Sequence, residues 1–88
     1  MRREVELYDE SLKHNILTLP YSTKIDDNGI DCDMVFIPKS DYGFAEIYRF
    51  YDDILVFLIP EYGGTPYLQY NVKSHNIDFL INELRQLT

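Results

Sequence analysis

The residues best suited to nucleophilic or metal chemistry in this sequence are one cysteine, Cys32, and two histidines, His14 and His75. A cysteine nucleophile needs a base beside it, and neither histidine lies near Cys32 in the chain. Cys32 alternates with Ile30 and Met34, which is typical of a small apolar residue on a buried strand face. The histidines are too far apart to form a local pair of zinc ligands. We therefore predict no catalytic residue among these three.

The segment IDDNGIDCD, residues 25–33, has some of the oxygen ligands of a calcium-binding loop. With Gly29 at the sixth position of such a loop, Asp26 falls at the third, where an oxygen ligand is needed. Lys24 then occupies the first position, where the metal requires an anion, and Val35 replaces the bidentate glutamate at the twelfth. The pattern fails at both decisive positions, so we predict no metal and no cofactor.

Two other segments have compositions that are common at sites but are better explained as turns. Gly63-Gly64 lies between two strand patterns, so no helix N-terminus follows it that could bind an anion. Asp52-Asp53 joins two further strand patterns, where aspartate is common for local hydrogen bonding. The sequence contains no Gly-rich phosphate loop, no GxSxG and no HExxH motif. We predict that the protein is not an enzyme.

Composition and charge restrict the class of partner. The 88 residues are 45% hydrophobic and 15% aromatic, which predicts a folded domain in spite of a net charge of -7. That acidity argues against nucleic acid or an anionic membrane as the direct partner. The longest apolar run, at 54–60, is too short to span a membrane. A lone cysteine, and acids where a signal peptide has its apolar region, favour the cytoplasm.

The periodicity of the apolar residues predicts one α+β domain over residues 1–88. An apolar stripe at helical spacing predicts a helix from residue 2 to about 15, and a second stripe predicts a C-terminal helix that Ser74 caps. Between them, period-two patterns separated by turns predict four to five strands. Short connections make consecutive strands neighbours, so we expect an antiparallel β-meander flanked by an N-terminal and a C-terminal helix.

A sheet with helices on one face leaves the other face for a partner. We predict a protein-binding surface in which acids attract a basic partner and aromatic or charged side chains touch it. The acids are Asp31, Asp33, Asp52 and Asp53, the contact residues are Glu46, Tyr48 and Tyr51, and Arg49 anchors a partner carboxylate.

The predicted function is that of an inhibitor, or of an immunity-like or antitoxin-like partner, that covers a basic, nucleic-acid-binding surface of another protein. The alternative is a structural or assembly subunit, a homo-oligomer formed through an exposed sheet face or edge. Two plainer explanations compete with the binding surface. The acids alone would keep a small domain soluble, and the tyrosines would serve as cross-strand pairs.

Overall fold

The computed structural model describes residues 2–21 and 32–88 of the chain. Asp31, one of the acids predicted to attract a partner, and most of the calcium-like segment lie outside the described residues. Within them the elements, in chain order, are β1 (Arg2–Glu6), α1 (Leu12–Leu17), β2 (Cys32–Phe36), β3 (Tyr42–Phe50), β4 (Asp53–Pro60), β5 (Tyr67–Lys73), a 3₁₀ turn (Ser74–Asn76) and α2 (Ile77–Gln86).

All five of these strands belong to one sheet, in the order β1-β2-β3-β4-β5. Strands β2 to β5 form an antiparallel meander, while β1 pairs with β2 in parallel. The α+β class and a mainly antiparallel sheet are therefore confirmed. Gly63 and Gly64 lie in the connection between β4 and β5 with φ of 89° and 130°, which agrees with the predicted turn.

The predicted helix over residues 2–15 is wrong for its first half, because residues 2–6 form β1 and α1 begins only at Leu12. Val5 and Leu7 are buried while Glu4 and Glu6 are exposed, so the segment has the alternation of a strand. The spacing from Val5 to Tyr8 and Leu12 also fits a helix, but Tyr8 is 61% exposed. The sequence of this segment is compatible with both a helix and a strand, and hydrogen bonding to β2 makes it a strand.

The core lies between the sheet and the two helices, on what we call the helix-covered face. Val35, Ala45 and Leu58 are register neighbours on β2, β3 and β4, and all three are buried. Leu12 and Ile16 of α1 and four residues of α2 belong to the same cluster, so both helices cover the same face. The four from α2 are Ile77, Leu80, Ile81 and Leu84.

The C-terminal helix has the predicted apolar stripe, but it begins differently from the prediction. Ser74 starts a 3₁₀ turn instead of capping α2, and its backbone N–H donates to the Asp52 carbonyl at 2.7 Å. Asp78 lies in the first turn of α2, where its negative charge interacts favourably with the helix dipole. Across residues 2–21 and 32–88, no helix is long and apolar enough to cross a membrane.

Candidate functional site

The other side of the sheet, which neither helix covers, is the open face. It consists mainly of two cross-strand rows, each with a glutamate on β1 and mostly apolar residues on the following strands. The rows are Glu4–Met34–Glu46–Phe57–Leu68 and Glu6–Phe36–Phe44–Ile59. The side-chain period of two sends these residues to one side and the core residues to the other.

Apolar side chains on the open face retain substantial contact with water. Phe36 is 47% exposed and Leu68 is 52% exposed, while Met34, Phe44 and Phe57 are half-buried. The Phe36 and Phe44 rings meet edge to face, with centroids 5.9 Å apart. Single exposed apolar residues are common, but a connected set on one sheet face is typical of an interaction surface.

A groove of about 350 Å³ lies at the β1 end of the open face, and we call it the acidic groove. It is lined by Glu4, Val5, Glu6, Met34, Phe36 and Phe44. Both glutamates are exposed, and neither forms an ion pair with any residue that the structure describes. The groove thus combines an apolar wall with two exposed carboxylates that have no ion-pair partner among the described residues.

Two predicted contact residues, Glu46 and Tyr48, do lie on the open face, but they are almost completely buried there. Glu46 is 6% exposed and Tyr48 is 3% exposed. The Tyr48 hydroxyl donates to Glu46 Oε2 at 3.4 Å, and its ring meets Phe57 edge to face with centroids 5.8 Å apart. At this low exposure the two side chains offer little area to a partner, which would touch their more exposed neighbours first.

Asp33 was predicted to attract a partner from the surface, but its side chain lies on the helix-covered face with 0% exposure. Arg3 Nε donates to Asp33 Oδ1 at 2.8 Å from the neighbouring strand. Burial raises the pKa of the Asp33 carboxyl above its ordinary value, although the Arg3 charge opposes that shift. The Asp33 carboxylate is therefore buried and already paired with Arg3, so it is not part of the exposed surface.

Arg49 was predicted to anchor a partner carboxylate, and the structure places it against α1 instead. Its guanidinium donates from Nη1 to the Leu17 carbonyl and from Nη2 to the Tyr21 hydroxyl, the latter at 3.1 Å. It also lies over the Tyr21 ring, 4.4 Å from the centroid. Together with Arg3, which donates to the Asn15 carbonyl, Arg49 satisfies carbonyl groups at and after the C-terminal end of α1.

The remaining predicted residues, Tyr51, Asp52 and Asp53, lie together at the β3–β4 turn, away from the acidic groove. Tyr51 is 70% exposed and stacks on Tyr21, with ring centroids 5.5 Å apart. Lys73 Nζ lies 2.6 Å from Asp53 Oδ1 and 3.9 Å from Asp52 Oδ2. Hydrogen bonding to Asp53 raises the pKa of Lys73, so this acidic turn already has its own counter-charge.

Sequence reasoning missed Glu4, Glu6, Phe36 and Phe44 as candidate contact residues. Both glutamates lie in the segment that was predicted to be a helix, although their alternation with Val5 and Leu7 is the signal of a strand. The aromatic residues predicted to touch a partner were tyrosines, Tyr48 and Tyr51, and no phenylalanine was among them. In the structure most of the tyrosines lie elsewhere, and phenylalanines form the aromatic part of the open face.

Among the described residues, no group of three or more His, Cys, Asp or Glu side chains is arranged to hold a metal ion. Comparison of the chain with protein-family models, with curated proteins and with solved structures finds no match.

Proposed function

We propose that the protein functions by binding another protein, and that its partner presents a basic surface. The observation that supports this most directly is the open face, where Phe36 and Phe44 contact solvent near Glu4 and Glu6, and Leu68 is exposed on β5 at the opposite edge of the sheet. Burying exposed aromatic and aliphatic area supplies binding energy, and aromatic residues are enriched in the centres of interfaces.

The overall charge supports a basic partner. A net charge of -7 on 88 residues repels acidic proteins and nucleic acids and attracts cationic surfaces over a Debye length of about 8–10 Å. Charge complementarity of this kind raises the association rate and selects against wrong partners. Glu4 and Glu6 are the acids best placed to act at the contact itself, because they border its apolar residues.

The mode of action that follows is occlusion. A basic surface that normally holds nucleic acid would lose that ligand once this domain covered it, as expected of an inhibitor, immunity or antitoxin-like protein. The proposal places the protein in the cytoplasm, because a chain with one cysteine forms no internal disulfide to suit an oxidising compartment.

The test is affinity capture from the source cell's lysate with four baits. These are the wild type, an open-face variant (Phe36→Ser with Leu68→Ser), a turn variant (Asp52→Asn with Asp53→Asn) and a control (Phe79→Ser). Phe79 is 56% exposed on α2, away from the open face, so its replacement removes a comparable aromatic from another surface. Each capture is made at low and at high salt.

We expect a basic protein that the wild type and the Phe79 variant retain, that the open-face variant loses, and that high salt weakens. The captured protein, once purified, should release its nucleic acid when the wild-type domain is added in a mobility-shift assay. Equal retention by the open-face variant would refute the proposed surface. Loss with the turn variant alone would return the contact to the β3–β4 turn.

Self-association is the second candidate, and the exposed edge strand β5 favours it. Five of its seven residues are exposed, and only one of its sides pairs with another described strand, β4. A free strand edge is a template for pairing with a second copy. Sedimentation over a wide range of protein concentration separates the two functions, since a constant monomer mass would exclude the homo-oligomer.

A further inference from the structure

The shape and charge of the acidic groove identify a more specific ligand than a basic surface in general. The groove lies between Glu4 and Glu6 on the edge strand β1 and the side chains of Met34, Phe36 and Phe44. Register places Glu4 beside Met34 and Glu6 beside Phe36. Each carboxylate therefore lies next to an apolar side chain on the neighbouring strand.

We propose that the acidic groove receives an arginine side chain of the partner protein. This inference rests on the proposed function and gives that contact its chemistry. An arginine has a long aliphatic stem, which suits the wall of Met34 and Phe44, and a planar guanidinium that stacks on aromatic rings such as Phe36. The same guanidinium has five N–H donors, enough to bind both glutamates at once.

Charge balance supports a cationic occupant in this groove more than at the other acidic site. Asp52 and Asp53 share Lys73, whereas Glu4 and Glu6 have no ion-pair partner among the described residues. A neutral apolar occupant would bring two carboxylates toward a drier environment without compensation, which is unfavourable. A guanidinium offsets that cost, so the groove selects arginine over leucine or phenylalanine.

The experiment is an NMR titration of the ¹⁵N-labelled protein with a capped Gly-Arg-Gly peptide. Matched titrations use the same peptide with lysine or with citrulline, the neutral isostere of arginine, in place of arginine. We expect the arginine peptide to shift the amide signals of residues 4, 6, 34, 36 and 44, and the citrulline peptide to leave them unchanged. The lysine peptide should bind more weakly, because its ammonium neither stacks nor forms a two-pronged contact.

A variant with Glu4→Gln and Glu6→Gln should bind the arginine peptide at least about tenfold more weakly, since it loses two charge-assisted contacts. The control variant, Asp52→Asn with Asp53→Asn, removes the same formal charge at the far end of β3, roughly 20 Å away at about 3.4 Å per residue. It should bind the peptide as the wild type does. Both variants are first checked for wild-type thermal unfolding.

The results separate this inference from the function on which it rests. Equal shifts with citrulline, equal weakening by both double variants, or shifts that centre on the β3–β4 turn would each overturn the arginine groove. Such a result combined with capture that still depends on Phe36 and Leu68 would leave the proposed function standing. The proposed function would instead be refuted if the arginine peptide bound in the groove while the open-face and groove variants captured the partner as well as the wild type does.

Discussion

Arg3 and Asp33 lie opposite each other on the parallel strands β1 and β2, with Arg3 Nε 2.8 Å from Asp33 Oδ1. From Nη2 the same guanidinium donates to the Asn15 carbonyl of α1 at 2.7 Å. Asp33 Oδ2 is buried and has no hydrogen-bond partner among the described residues. The pair joins β1, β2 and α1, and it does so with a carboxylate that is only half satisfied.

The first prediction concerns the pH dependence of stability. Because the pKa of Asp33 is raised in the folded protein, the folded state binds more protons than the unfolded state as pH rises past the ordinary value of 3.8. The Asp33 contribution to the free energy of unfolding therefore falls as pH rises through the raised pKa. We expect the wild-type stability minus that of Asp33→Asn to decrease over this range in urea titrations.

Asp9 gives a control with the opposite sign. Hydrogen bonds from Ser11 lower the pKa of Asp9, so its contribution is present above the ordinary value of 3.8 and is lost as pH falls through the lowered pKa. The wild-type stability minus that of Asp9→Asn should therefore increase with pH. If both differences had the same slope, the assignment of a raised pKa to Asp33 would be contradicted.

The second prediction is that Arg3 matters chiefly because Asp33 is buried. Arg3→Met should lower the free energy of unfolding by about 2–4 kcal/mol, since it leaves a buried carboxylate without its cation. In an Asp33→Leu background the same substitution should cost less than about 1 kcal/mol, because an apolar pair can replace a buried ion pair. Urea denaturation of the two single variants and the double variant measures the coupling. Costs that simply add would show that the pair is not coupled.

This pair also shows where the sequence was sufficient and where it was not. The alternation of β2 through β5, the Gly63-Gly64 turn and the apolar stripe of α2 are local signals, and they predicted those elements well. The side of the sheet on which Asp33 lies, and the use of Arg49 to bind α1, depend on which face the helices cover. Which face the helices cover is a property of the tertiary fold, and it cannot be predicted from the local pattern of a single sequence.

The N-terminal segment shows a different limit. Residues 2–6 satisfy a helical spacing and a strand alternation at once, and parallel pairing with β2, about thirty residues away, decides in favour of the strand. Placing Glu4 and Glu6 on a helix removed them from the candidate site. The wrong assignment of this one element is therefore the reason that the predicted binding surface did not include Glu4 and Glu6.

The third prediction concerns backbone strain in the loop before β3. Lys39 has a φ of 61°, in the left-handed region that asparagine and glycine occupy at lower cost than lysine. Lys39→Asn should raise the free energy of unfolding by about 0.5–1 kcal/mol, or the melting temperature by a few degrees. Tyr51, with a φ of 52°, should gain less from the same change, because it also loses its stacking on Tyr21. An unchanged or lower melting temperature for the Lys39 variant would contradict this.

The fourth prediction compares two adjacent residues of α2. Leu80 is buried against the sheet, whereas Phe79 is 56% exposed. Leu80→Ala should destabilise the protein by about 2–5 kcal/mol through lost burial and a residual cavity. Phe79→Ser should change stability by less than about 1 kcal/mol, since more than half of the Phe79 surface stays exposed in the folded protein. Equal costs in urea denaturation would mean that α2 presents a different face to the sheet.

The fifth prediction is that the native open face binds an apolar probe. Nile red is suitable because it is neutral, whereas an anionic dye would be repelled by Glu4 and Glu6. We expect its fluorescence to increase with the folded wild type and to fall strongly in the variant with Phe36→Ser and Leu68→Ser. Phe36 and Leu68 are about half exposed, so their replacement by serine should lower stability by no more than about 1–2 kcal/mol.

Phe79→Ser is the control for this experiment, because it removes an exposed aromatic ring from α2 and leaves the sheet unchanged. Dye binding should persist in that variant if the probe recognises a connected apolar surface and not single exposed rings. Equal loss in both variants would indicate scattered binding. Persistence in the open-face variant would show that its apolar residues do not form a usable surface, and that result would also undermine the protein-binding function argued from them.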